Sequence, residues 1–146
     1  MEINFSTLHN YKNHKIVNLR KKFINEVCKE NVSAEDVTSD DYRPDGNDYV
    51  IYTAYSNNDV LGYIIITDFT ITIKNGLHIS EIYVNQRYRN QGIGKSLVKY
   101  MLNNTKTYDF ELCPADKNAE LFWENVLADN KLTYKNENGF ITTKNN

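Results

Sequence analysis

The chain has 146 residues, 40% apolar, 25% charged and 12% aromatic, a mixture that excludes disorder, collagen-like repeats and a coiled coil. At this length folding buries about 70% of the unfolded chain's surface, enough for one domain over residues 1–146 without staples. Seventeen basic against nineteen acidic side chains give −2, so no global positive field exists to hold a nucleic acid backbone. Two cysteines, Cys28 and Cys113, are too few for a disulfide framework and suit a reducing compartment. No apolar run approaches the length of a signal peptide or a membrane span. A cytoplasmic protein is expected, with neither membrane nor nucleic acid as partner.

Residues 3–8 alternate apolar and polar side chains and predict an opening strand. Ile16, Leu19, Phe23 and Val27 then recur at helical spacing, which predicts a helix over about residues 13–30. Ser33-Ala34-Glu35-Asp36 reads as a capping box that opens a short second helix. From Tyr49 the period changes to that of strands. Residues 50–55 and 60–69 flank the turn signal Ser56-Asn57-Asn58-Asp59, and residues 70–73 and 77–84 flank Lys74-Asn75-Gly76. These runs predict an antiparallel meander. Ile93, Leu97, Val98, Met101 and Leu102 give a third helix its apolar face. A strand at 108–113, a helix carrying Ala119, Phe122, Trp123, Val126 and Leu127, and a hairpin at 132–135 and 140–143 complete the chain. The order is β-α-α-β-β-β-α-β-α-β-β, a mixed, mostly antiparallel central sheet of the α/β (α+β) class.

The most informative segment runs from Ile82 to Leu97, where a strand ends, a basic loop follows, and two of the chain's six glycines open an amphipathic helix. Helix N-termini carry unpaired N–H groups and partial positive charge, and glycine lets the main chain approach an anion closely. Arg89 and Lys95 add formal charge, so a pyrophosphate is the natural guest. Three patterns compete for this loop. Gly94-Lys95-Ser96 matches the end of G-x-x-x-x-G-K-[ST], but that pattern needs glycine at position 89, where Arg89 stands. The dinucleotide pattern G-x-G-x-x-G needs glycine where Leu97 stands. The pattern [RQ]-x-x-G-x-[GA] is met in full by Arg89-Asn90-Gln91-Gly92-Ile93-Gly94.

With this loop placed after a β-meander and before an amphipathic helix, the sequence resembles the GNAT superfamily of acyl-CoA-dependent N-acetyltransferases. A second match is Ala119-Glu120-Leu121-Phe122-Trp123, similar to the family's A-x-x-[FL]-[YW] helix near the thiol end of the coenzyme. The resemblance implies acetyl-CoA as co-substrate and no metal. Its pyrophosphate would lie on main-chain N–H groups from Gln91 through Gly92, Ile93 and Gly94 to Lys95, beside Arg89, Asn90 and Ser96. Its pantetheine arm would pair with the edge of Ile82, Tyr83 and Val84 as an added strand. Amides of that strand would then stabilise the oxyanion of a tetrahedral intermediate.

The reaction implied is direct attack by a neutral amine in a ternary complex, so a base must take the amine's proton. Glu81 is the leading candidate, on the strand that would carry the thioester. His78 is the alternative, on the other face of a regular strand by parity. The family often protonates the departing thiolate with a tyrosine, but Trp123 stands at that position and its indole is a very poor acid. Asn125, Leu127 and Ala128 also replace the usual Lys-Gly-Phe ending. Tyr134, Tyr83 or solvent remain as proton donors. Cys113, before Pro114, reads as a buried free thiol near the coenzyme sulfur, and the histidines and cysteines show no ligand spacing for a metal.

Between Glu26 and Asp48 stand eight acidic and two basic residues, a local charge of −6. In the family's fold this stretch commonly forms the acceptor side. An acidic rim would attract a cationic acceptor, either a small-molecule amine or an amine on a protein. A non-catalytic acyl-CoA-binding module is the alternative reading, motivated by Trp123 and the altered later motif. A homodimer is an open alternative to a monomer.

Overall fold

The computed structural model describes residues 1–105 and 108–143. Seven strands form one sheet in the order β1-β2-β3-β4-β5-β7-β6. The strands are β1 (Asn4–Leu8), β2 (Tyr49–Ser56), β3 (Asp59–Thr67), β4 (Leu77–Val84), β5 (Phe110–Leu112), β6 (Tyr134–Glu137) and β7 (Phe140–Thr143). The helices are α1 (His14–Glu26), α2 (Ala34–Val37), α3 (Ile93–Asn104) and α4 (Lys117–Asp129). Every neighbouring pair of strands is antiparallel except β4 and β5, which run parallel. That single parallel pair places the N-terminus of α3 and the start of α4 at the same end of the sheet, where phosphate-binding loops commonly lie in α/β folds.

Each face of the sheet is buried by its own helices. Ile64, Ile66 and Ile79 pack with Leu97, Val98 and Met101 of α3 and with Trp123, Val126 and Leu127 of α4. On the other face Ile51, Tyr63, Ile65 and Tyr83 pack with Ile16 and Leu19 of α1. Each fully buried Leu or Ile contributes about 1.5–3 kcal/mol relative to leaving it in water. Helix α2 begins with the expected capping box: the Asp36 amide donates to Ser33 Oγ and the Ser33 amide to the Asp36 carboxylate.

The structure corrects four local expectations. Helix α1 ends at Glu26 and not near residue 30, and Lys29 turns the chain with φ 59°. The final hairpin pairs Tyr134–Glu137 with Phe140–Thr143, two residues later on its first arm than 132–135. Residues 70–73 form no strand. Their amides turn inward instead: those of Ile71, Thr72 and Ile73 donate to the buried Glu111 carboxylate of β5. The fourth correction bears on the chemistry. Consecutive residues Ile65 and Ile66 of β3 oppose Glu81 and Ile79, so Ser80 is an extra residue, a β-bulge in β4. An extra residue inverts the parity beyond it. His78 opposes Thr67 and Glu81 opposes Ile65, and both therefore face α1.

Candidate active site

Strands β4 and β5 pair only from Leu77↔Phe110 to Ile79↔Leu112, then diverge. Beyond the last rung opens a cleft of about 970 Å³. It is bounded by the end of α1, the second half of β4, the loop into α3, residues 112–116 after β5, and the start of α4. Of the site residues expected from sequence, Glu81, Ile82, Tyr83, Val84, Arg89, Asn90, Gly92, Ile93, Gly94, Lys95 and Trp123 line it. Gln91 and Ser96 do not.

The loop is shaped by two left-handed residues, Asn90 at φ 63° and Gly92 at φ 80°. Gly92 caps α3 with no side-chain hydrogen bond to the first amides, and a Cβ added there would meet nothing within 4 Å. Among the described residues no side chain satisfies the first-turn N–H groups of α3. The next glycine has a different reason. A Cβ on Gly94 would lie 3.2 Å from the Phe122 ring, so Gly94 lets α3 and α4 approach. Ile93 contributes its amide only, since its side chain is buried in the core. The Ser96 hydroxyl donates back to the Gly92 carbonyl at 2.9 Å. Lys95 lies 3.9 Å from Asp129 across an exposed pair.

Arg89 is committed inside the protein. Its Nη atoms donate to both oxygens of Glu26 at 3.0 and 3.1 Å, its Nε donates to the Val84 carbonyl, and its guanidinium stacks 5.1 Å over Tyr83. It ties the end of α1 to the end of β4 and so fixes the mouth of the loop. The Arg89 hydrogen bonds, with that of Tyr83, hold the Glu26 carboxyl below its usual value. Burial, then the bond to Glu26, pushes the Tyr83 hydroxyl up to about 12, which makes it a poor acid at neutral pH. Tyr134 donates to Glu124 and lies outside the cleft lining.

Trp123 is buried, edge-on to Phe122 at 5.6 Å, and forms part of the cleft wall beside Cys113. Cys113 is a free thiol but an exposed one, which corrects the expectation that it is buried. Among the described residues no group of three or more His, Cys, Asp or Glu is placed to hold a metal, and no helix is long and apolar enough to cross a membrane.

On the α1 face, Glu81 is held by a buried arginine that sequence reasoning missed. Arg20 Nε lies 3.1 Å from both carboxylate oxygens, its Nη2 donates at 2.8 Å, and Tyr63 Oη donates at 2.9 Å. Each carboxylate oxygen thus receives two of these four contacts. Arg20 also donates to the Tyr42 carbonyl, which brings the acidic segment up against Glu81. Asp40, Asp41, Asp45 and Asp48 of that segment are exposed. The only sequence hint of Arg20's role is its place on the buried stripe of α1, one residue after Leu19.

The model of the acetyltransferase (GNAT) family matches residues 17–128. No curated protein sequence matches the chain. Solved structures do. A PaiA N-acetyltransferase from Thermoplasma acidophilum, in complex with coenzyme A, is 15% identical over all of both chains with a TM-score of 0.66. A GNAT-family acetyltransferase from Staphylococcus aureus is 17% identical over 97% of this chain and 98% of that one, with a TM-score of 0.64. An aminoglycoside acetyltransferase from an uncultured soil sample, in complex with sisomicin, is 15% identical over 86% of each chain, with a TM-score of 0.58. These likenesses establish a shared fold. Together with a family model spanning most of the chain, the loop and cleft described above make this protein a member of the GNAT acetyltransferase family.

Proposed function

We propose that this enzyme moves an acetyl group from acetyl-CoA to a cationic primary amine by direct attack in a ternary complex. The observation that carries the reading is the continuity of one cleft from the unpaired amides of α3, along β4, to Trp123. A pyrophosphate on the amides from Gln91 to Lys95 would be neutralised by the helix dipole and by Lys95. Asn90 and Ser96 would border it, with Arg89 as the strut behind the loop. The pantetheine amides would pair with the part of β4 at Ile82, Tyr83 and Val84 that β5 leaves unpaired. Trp123 would exclude water at the thioester.

The amine would enter from the α1 face past the exposed acidic segment, whose field favours a cation. Glu81, which lines the cleft, is the proposed catalytic carboxylate, taking the amine's proton directly or through water. With Tyr83 tied to Glu26 and Trp123 a very poor acid, solvent is the proposed proton donor to the departing thiolate.

Thiol release from acetyl-CoA, with spermidine, kanamycin, a lysine-bearing peptide and an acidic peptide as acceptors, tests the reading. Amine-dependent release that favours the cationic acceptors is expected. Tight acetyl-CoA binding with no release for any amine would favour a binding module instead.

A further inference from the structure

The α1 side of the cleft differs in character from the acidic segment that lies outside it. Phe23 and Val27, about one helical turn apart at the end of α1, both line the cleft, and the Val27 amide donates to the Phe23 carbonyl. The Phe23 ring stands edge-on to Tyr63 at 6.5 Å and to Tyr83 at 6.0 Å. Tyr63 is the residue whose hydroxyl donates to Glu81, so this ring belongs to the same packed group as the proposed catalytic carboxylate. Val27 is 37% exposed and carries the apolar stripe out to solvent. Cys113, Pro114 and Ala115 after β5 add further uncharged lining.

The charges in the lining are already balanced. Glu26, Glu81 and Asp116 are its carboxylates, set against Lys29, Arg89 and Lys95. Glu26 pairs with Arg89, Glu81 pairs with Arg20, and Asp116 accepts from the Ala119 amide as the cap of α4. Lys29, two residues beyond Val27, is exposed and has no ion-pair partner among the described residues. None of the seven acidic residues from Glu30 to Asp48 lines the cleft. The acidic segment can therefore draw a cation towards the mouth, while inside, among the described residues, Glu81 serves the reacting amine and no free carboxylate waits for a second one. A charge moved against apolar surface without a counterion is heavily penalised, whereas an alkyl or aryl body gains by leaving water.

We propose that the acceptor is a monoamine with an apolar body, its nitrogen at Glu81 and its body along Phe23 and Val27. The inference rests on the acetyl-transfer reading and narrows its acceptor class. Phe23 and Val27 determine specificity by offering the body a surface that excludes water. Lys29, at the outer end of the stripe, repels a second ammonium and so disfavours a diamine of the same length.

Hexylamine and 1,6-diaminohexane share one carbon chain and differ in the second ammonium, which makes them the test pair, with 2-phenylethylamine, spermidine and kanamycin beside them. From thiol release, kcat/KM should be higher for hexylamine than for the diamine by about tenfold or more, the scale of discrimination that an apolar pocket supplies. The value for 2-phenylethylamine should likewise exceed those for spermidine and kanamycin. In Val27→Asp the stripe gains a carboxylate, and the hexylamine-to-diamine ratio should fall by about tenfold. A merely structural role for Val27 would lower both acceptors alike and leave the ratio unmoved. Should Val27→Asp fail to fold, the wild-type ratio decides. A wild-type ratio below that scale, a ratio unmoved in folded Val27→Asp, or release confined to spermidine and kanamycin would overturn the inference while leaving acetyl transfer intact. A wild type that binds acetyl-CoA but releases no thiol with any of these amines would overturn both.

Discussion

The two ends of β4 obtain their chemistry in different ways. At its C-terminal end the strand runs into a loop whose shape comes from neighbours in the chain: Asn90 and Gly92 in left-handed conformations, then the first turn of α3. At its N-terminal end the useful groups are assembled from far apart. Arg20 reaches Glu81 across 61 positions, and Glu111 reaches His78 across 33. The C-terminal end presents main-chain amides that most substitutions leave in place. The other end presents side chains that a single substitution removes.

The sharpest break in the comparison is at Arg20. Arg20→Met strips a buried carboxylate of its partner, and such a loss typically costs about 3–5 kcal/mol. Urea denaturation should show that loss, while acetyl-CoA affinity measured well below the melting temperature stays within about twofold. A destabilisation under about 1 kcal/mol would mean that the pair does not hold the acceptor face together.

A smaller effect is expected where the two ends meet, at Glu26 and Arg89. This pair is more than one-third exposed, so after solvent screening it contributes about 0.5–1 kcal/mol at most. Glu26→Gln should cost that much and weaken acetyl-CoA binding a few-fold by loosening the loop's anchor. The folded Glu26 carboxyl lies below its ordinary 4.5. Its contribution is therefore fully present above that pH and fades as pH falls through the folded value. Denaturation curves for wild type and Glu26→Gln should converge as pH falls through the folded value; a gap that stays constant from neutral to acid pH would contradict this.

The order of the elements was legible because each carries its own period and its own turn residues. Gly92 and its neighbours were legible because a helix N-terminus with glycines is a local device. The pairing of Arg89 with Glu26 was not legible, because Glu26 lies 63 positions away and no spacing rule joins them. His78 was placed on the wrong face because strict parity was carried across the strand, whereas the consecutive polar residues Ser80 and Glu81 break the alternation at the bulge. Residues 70–73 carry β-rich side chains, and what overrides that propensity is Glu111, a buried carboxylate that needs donors more than the sheet needs another strand.

Trp123, the chain's only tryptophan, forms part of the cleft wall, so its emission reports directly on the space assigned to acetyl-CoA. Titration of wild type and Gly92→Asp with acetyl-CoA, followed by that emission, tests the central claim. A saturable change is expected for wild type. In Gly92→Asp a carboxylate stands where phosphate oxygens must approach, and the midpoint should rise by 10²-fold or more with the fold intact by circular dichroism. An unchanged midpoint in Gly92→Asp, or no response in wild type at saturating acetyl-CoA, would contradict the placement of the coenzyme in this cleft.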